Sequence, residues 1–202
     1  MPFITNADLD RMPLDQEFIK SASITRNAAG ILKANARTAS KTKTFDVFLS
    51  HSYRDAQSLD AKRLLQLKVR LEKFNLSVYM DWIVDGDLSR DRVTPATAAR
   101  IRQRMDQSKC LMFATSTSSS ESKWMPWELG YKDGASKRSA VLPILDNSYG
   151  EFRGQEYLGL YPYVTYRKSG TMQYLWIEYP DGRRVLLSDW MNHGNQPSRY
   201  VS

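Results

Sequence analysis

Three polar segments of this chain carry side chains able to do chemistry. The first is Ser50-His51-Ser52, which follows the apolar run Phe45-Asp46-Val47-Phe48-Leu49. Hydroxyls and backbone amides in such a turn can meet phosphate oxygens. His51 can carry a proton near neutral pH, or it can be a structural turn residue. The second segment, Asp81-Trp82-Ile83-Val84-Asp85-Gly86-Asp87, holds three acids and one glycine. The third begins with Ser116-Thr117-Ser118-Ser119-Ser120 and runs into a helical pattern holding Trp124, Trp127 and Glu128. Trp124 and Glu128 lie one helical turn apart, on one face. By spacing alone, Glu128 is an exposed helix carboxylate paired with Lys132 at i+4. A Ser-His-Asp hydrolase is disfavoured, because no Gly-x-Ser-x-Gly elbow occurs. Two histidines and one cysteine are too few for a metal cluster, so no metal is expected.

The elements around these segments alternate. The strand at Phe45–Ser50 precedes a helix whose Leu64, Leu67, Leu71 and Phe74 form one apolar stripe, with Asn75 as its stop. Asp55 or Ser58 would cap that helix. A second strand is predicted over Leu76 to Trp82. Thr94 and Pro95 then mark the start of a helix over Ala96 to Gln107, whose Arg100, Arg102 and Arg104 read as a solvated face. A third strand is predicted from Cys110 to Thr115. A helix from Ser122 or Lys123 follows, limited by Gly134, and then a fourth strand from Ala140 to Leu145. Pro143 puts that strand off the sheet centre or ends it early. Strand and helix in alternation predict an α/β fold, a flavodoxin-like doubly wound parallel sheet of order 2-1-3-4-5. Ligands of such sheets bind beyond the carboxyl ends of the strands, where all three polar segments then converge.

Residues 1–43 read as an N-terminal helical arm, with Asn6 or Asp8 as a first cap. Its stretch from Arg26 to Lys43 holds five cations and no acid, and contacts a partner, contacts its own domain, or serves as a lead-in. Residues 44–166 form the central domain and 167–202 a C-terminal β-hairpin extension. Tyr161 to Tyr166, Gln173 to Tyr179 and Arg183 to Leu187 read as strands, and Pro180-Asp181-Gly182 as a turn. The hairpin would extend the sheet or stand beside it.

The 202 residues carry a net charge of +7, spread along the chain. With no zinc-finger spacing, RNP-type motif or Gly-rich phosphate loop, that charge reads as solvation, not as nucleic-acid binding. No apolar run approaches membrane-span length. The single cysteine, Cys110, sits in the apolar run Cys-Leu-Met-Phe-Ala, reads as a buried hydrophobe, and fits a cytoplasmic setting.

Asp46-Val47-Phe48-Leu49-Ser50-His51-Ser52 resembles the opening strand motif of TIR (Toll/interleukin-1 receptor) domains. Tyr79-Met80-Asp81-Trp82, with Gly86 soon after, resembles their second strand and BB loop. Ser122-Lys123-Trp124-Met125-Pro126-Trp127-Glu128-Leu129 resembles the third-helix segment, in which a Trp precedes a Glu by four. Tyr157-Leu158 and Tyr161-Pro162-Tyr163 are similar to the final part of bacterial TIR proteins. The resemblance covers about residues 44–166, in the correct order and spacing.

The resemblance implies an NAD+-cleaving enzyme, as in stand-alone TIR proteins of Thoeris-type antiphage defence. NAD+ is then substrate, with no further cofactor, and the products are nicotinamide and ADP-ribose or a cyclic ADP-ribose-type signal. It implies Glu128 as the catalytic carboxylate and Trp124 as a ring that stacks on nicotinamide or adenine. Ser50, His51 and Ser52 would meet ribose or diphosphate, and Asp81 and Trp82 would complete the substrate site. It also implies self-association through the Asp81–Asp87 loop and a separately encoded effector that reads the product. That loop lacks the Arg-Asp-x-x-Pro-Gly core of receptor TIR domains, which disfavours adaptor signalling. The alternative is a non-catalytic TIR interaction module docking through Trp82 and the arm. A flavodoxin-like nucleotide receiver is a third reading, and its acidic cluster is not evident beside the first strand.

Overall fold

The computed structural model describes residues 3–11, 44–52, 61–85, 94–115, 119–145 and 154–193. Within them the chain order is β1 (Ile4–Thr5), α1 (Asn6–Asp10), β2 (Phe45–Ser50), α2 (Ala61–Glu72), β3 (Val78–Tyr79), α3 (Asp81–Val84), α4 (Pro95–Asp106), β4 (Ser108–Ala114), α5 (Trp124–Ser136), β5 (Ser139–Leu142), β6 (Ile144–Leu145), β7 (Tyr163–Ser169), β8 (Met172–Glu178), β9 (Arg184–Leu186) and α6 (Leu187–His193). Short 3-10 turns at Ser119–Glu121 and Glu156–Leu160 precede α5 and β7.

The main sheet runs β3-β2-β4-β5-β7-β8-β9. Its pairings are parallel from β3 through β7 and antiparallel from β7 to β9. The architecture is therefore α/β with a mostly parallel central sheet. The hairpin β8–β9 extends this sheet, and its turn at Pro180-Asp181-Gly182 uses a positive φ of 85° at Gly182, where glycine has no Cβ to clash.

Strand alternation sorts the core into two layers. Val47 and Leu49 face Leu64, Leu67 and Leu71 of α2 on one side. Phe48 faces Ile101 and Met105 of α4 and Met125 and Leu129 of α5 on the other. A parallel sheet covered on both faces is why its strands read as nearly unbroken apolar runs. The chain goes outward from β2 to β3, then crosses back to β4 on the far side of β2. That reversal makes the carboxyl ends of β2 and β4 the topological switch point, where ligands of such sheets bind.

Several boundaries differ from the sequence expectations. The second strand keeps only Val78 and Tyr79 in the ladder, and Asp81–Val84 forms a helical turn, not a loop. The third strand starts earlier, at Ser108. Pro143 ends β5 early, yet β5 is not off-centre, since β4 and β7 flank it. Helix α5 passes Gly134 and stops where Lys137 adopts a left-handed φ of 55°. Asn75 terminates the turn after α2 in the same way, at φ 61°. Thr94 caps α4 through its side chain, which accepts from the Thr97 amide, with Pro95 in the first turn.

The start of the expected arm packs on its own domain. Thr5, not Asn6 or Asp8, is the cap of α1. Its hydroxyl accepts from the Asp8 amide, while the Asp8 carboxylate accepts from the Thr5 backbone amide. β1 pairs in parallel with β6, and Leu9 is buried in the core. The remainder of the arm, residues 12–43, and the expected caps Asp55 and Ser58 lie outside the described residues.

Candidate active site

The parity that turns Phe48 toward α4 and α5 turns Ser50, two residues on, the same way. Opposite it, the inward stripe of α5 is Met125, Glu128, Leu129 and Lys132. Glu128 thus occupies an apolar-stripe position and has no exposed surface. The Ser50 hydroxyl, also fully buried, donates to Glu128 Oε2 at 2.6 Å. Both Glu128 and Lys132 are buried, so neither belongs to the surface pair that i+4 spacing suggests. Lys132 Nζ donates to the carbonyls of Met105 and Ser108, tying α5 to the end of α4. Burial lowers the pKa of this ammonium below the usual lysine range.

His51 lies at the strand end, 2% exposed. Its Nδ1 is 2.9 Å from the Leu49 carbonyl oxygen. Its Nε2 is 3.3 Å from Asp81 Oδ1, an ion pair whenever the ring is doubly protonated. Asp81 is the first residue of α3 and is buried. Ser52 is buried beside this pair in sequence. Trp124, at the first position of α5, is half-buried and meets Trp127 edge-to-face at 5.4 Å. Trp127 in turn stacks on Tyr131 and lies under the Arg102 guanidinium, so it is packed among its neighbours.

The structure therefore joins Ser50 to Glu128 and His51 to Asp81, at the carboxyl ends of adjacent strands. It places Trp124 on the same helix as Glu128, one turn earlier. For Trp82 only the backbone, within α3, is described; Gly86, Asp87 and Ser116–Ser118 lie outside the described residues. Among the described residues, no group of three or more His, Cys, Asp or Glu side chains is placed to hold a metal. No described helix is long and apolar enough to cross a membrane.

A cluster that the sequence did not announce holds α3 in place. Asp85 caps the end of α3 and is 5% exposed. Its carboxylate accepts from Arg104 Nε at 2.8 Å, Arg104 Nη2 at 2.9 Å, Arg100 Nη1 at 3.1 Å and the Tyr79 hydroxyl at 2.8 Å. Burial pushes the Asp85 pKa up, but the Arg104 and Tyr79 hydrogen bonds and the two guanidinium charges more than offset it. Its carboxyl is held below the usual range. Arg104 is thus not part of a solvated face. It falls in the buried stripe Thr97, Ile101, Arg104 and Met105, and a charge in such a stripe is the signal that could have found it. Glu128 carries the same signal on α5.

A buried carboxylate held by a hydroxyl can stabilise positive charge developing beside it and can take up a proton. No family model matches the chain. A protein of Bacillus cereus (strain MSX-D12) named "Probable 3' cyclic ADP-D-ribose synthase ThsB'" is 43% identical to it over 167 residues, 81% of this chain and 84% of the relative. A protein of Cytobacillus dafuensis named "Putative cyclic ADP-D-ribose synthase TIR2" is 34% identical over 110 residues, 54% of this chain and 28% of that longer relative. Identity of 43% across most of this chain and most of the Bacillus relative shows that the protein belongs to the ThsB' family.

Proposed function

We propose that this protein cleaves the nicotinamide–ribose bond of NAD+ and closes the remaining ADP-ribose into a cyclic signal, within Thoeris-type antiphage defence. The names of its relatives, cyclic ADP-D-ribose synthases, support the substrate and the cyclic product. The observation that carries the site is the fully buried Glu128 carboxylate, held by Ser50 at the carboxyl end of the sheet.

The chemistry follows from charge. The C–N bond breaks with its electron pair going to the nicotinamide nitrogen, which becomes neutral. The ribose is left as an oxocarbenium-like cation. A carboxylate beside it stabilises that developing charge, as glycosidase carboxylates do. The cation is then captured by a nucleophile of the same molecule to give a cyclic product, or by water to give ADP-ribose. An attacking hydroxyl releases one proton, which Glu128 can accept. Trp124 offers a ring face for nicotinamide or adenine. His51 and Ser52, at the end of β2, offer polar groups to the ribose and diphosphate. Asp81 and Trp82 of α3 border the substrate.

Glu128 has no exposed surface, so a dinucleotide reaches it only when neighbouring elements part. Assembly through the Asp81–Asp87 segment is the trigger we assign to that opening. Head-to-tail contacts of this kind build open filaments. A separately encoded effector then reads the product.

The test is nicotinamide release from NAD+ by concentrated protein, with products identified by mass spectrometry. Wild type yields nicotinamide and a product one water lighter than ADP-ribose. Glu128→Gln keeps its circular dichroism spectrum and loses at least about 100-fold in rate. A Glu128→Gln variant with full turnover refutes the site, and a wild type that never cleaves NAD+ refutes the activity.

A further inference from the structure

We infer that Ser50 is a positioning residue: it acts on the reaction through Glu128, not through the substrate's phosphates. This rests on the reading of Glu128 as the catalytic carboxylate.

The argument begins with the strand. Ser50 is the last residue of β2 and stands in register with Phe113 of β4. β2 also pairs with β3 on its other side. The Ser50 backbone is therefore held by β4, on a strand that β3 flanks at Val47 and Phe48. A serine hydroxyl has one proton to give. Here it goes to Glu128 Oε2, across 2.6 Å and 78 residues of sequence. Donated there, it is not available to a phosphate oxygen at the same time.

The surroundings of Glu128 say why a donor is needed. Met125 and Leu129 flank it on α5, and Phe48 and Phe113 belong to the same buried cluster. A carboxylate carried by a helix into such a layer keeps one orientation only if a fixed group holds it. Ser50 presents a donor from the most rigid element available. Catalytic geometry is best kept by groups whose own rotamers are locked by packing. An acid displaced by about 1 Å loses on the order of 100-fold in rate.

The two roles open to Ser50 separate cleanly in kinetics. A phosphate donor binds ground state and transition state alike, so its loss raises KM and spares kcat. A group that aims Glu128 at charge present only in the transition state does the reverse.

The experiment uses the full chain and follows nicotinamide release from NAD+ by wild type, Ser50→Ala and Ser50→Thr. Each is measured below its melting temperature. Ser50→Ala is expected to lose about 10- to 100-fold in kcat with KM within about twofold, and Ser50→Thr, which keeps the hydroxyl, to recover most of the loss. A raised KM with unchanged kcat overturns the inference, as does Ser50→Ala with wild-type kinetics.

A second measurement holds if Ser50→Ala is too unstable to assay. Denaturation midpoints of Ser50→Ala, Glu128→Ala and the double variant form a cycle. Non-additive losses support the pairing, and additive losses overturn it. If Glu128→Gln retains full turnover while the cycle stays non-additive, the functional reading of Glu128 has failed and the contact remains structural.

Discussion

Asparagine in place of Asp85 removes the charge that the α3–α4 clamp is built around and keeps its shape. The carboxylate is 5% exposed and Arg104 is 8% exposed, so neither is well screened by water. Arg104 meets both carboxylate oxygens, through Nε at 2.8 Å and Nη2 at 2.9 Å. Losing one partner of a buried pair leaves the other charge uncompensated, at a cost of about 3–5 kcal/mol. Arg100 adds little, because its side chain is 44% exposed. The low end, about 3 kcal/mol, is expected, since the Asn carbonyl can still accept one hydrogen bond.

For a chain of this length that loss lowers the melting temperature by about 6–12 °C. In urea it should appear as a shifted midpoint with unchanged slope. The pH dependence gives an independent check. The folded-state pKa of Asp85 lies below its unfolded value. The carboxylate therefore contributes stability above about pH 4, and that contribution fades as pH falls through the folded value. The gap between wild type and Asp85→Asn should be constant from about pH 5 to 8 and narrow in acid. A loss under about 1 kcal/mol, or a gap that persists undiminished in acid, would refute the clamp as the determinant of α3.

Two further outcomes follow from the same geometry. Asp81→Asn and His51→Ala each break the contact between β2 and α3, and both should slow nicotinamide release while Glu128 stays in place; wild-type rates in both would remove this pair from the site. Burial pushes the Cys110 thiol up to about 12 and the side chain is fully covered, so it should resist thiol reagents in the native protein and be labelled only as fast as the chain unfolds. Rapid labelling at pH 8 under native conditions would contradict that burial.

Features governed by local chemistry were legible from the residues alone. The α/β class follows from alternating strand and helix patterns. Thr94 with Pro95, Asn75 and the Pro180-Asp181-Gly182 turn each act within their own stretch of chain, and each does its expected work. Where distant residues decide, spacing misled. Asp81–Val84 reads as loop because its helical turn is held by Arg104, nineteen positions beyond the Asp85 cap. Glu128 and Lys132 have the spacing of a surface pair, yet they are drawn inward by partners on other elements. The legible trace was a charged residue falling within an apolar stripe, at Glu128 on α5 and at Arg104 on α4. The resemblance to TIR domains pointed to Glu128 for a different reason, and the fold brings Ser50 to it.

The pairing of Ile4 with Ile144 has a consequence for how this protein is made. Synthesis delivers β1 long before its neighbour exists, so β1 stays unpaired until Ile144 and Leu145 have left the ribosome, whereas α1 can pack on α2 as soon as that helix forms. The central strands β2, β3 and β4 close over far shorter spans and can assemble earlier. Pairing of β1 is thus a late, long-range event, a clasp fastened over a sheet already formed. Deleting it should leave that sheet able to collapse while its covering over the β6 edge is lost.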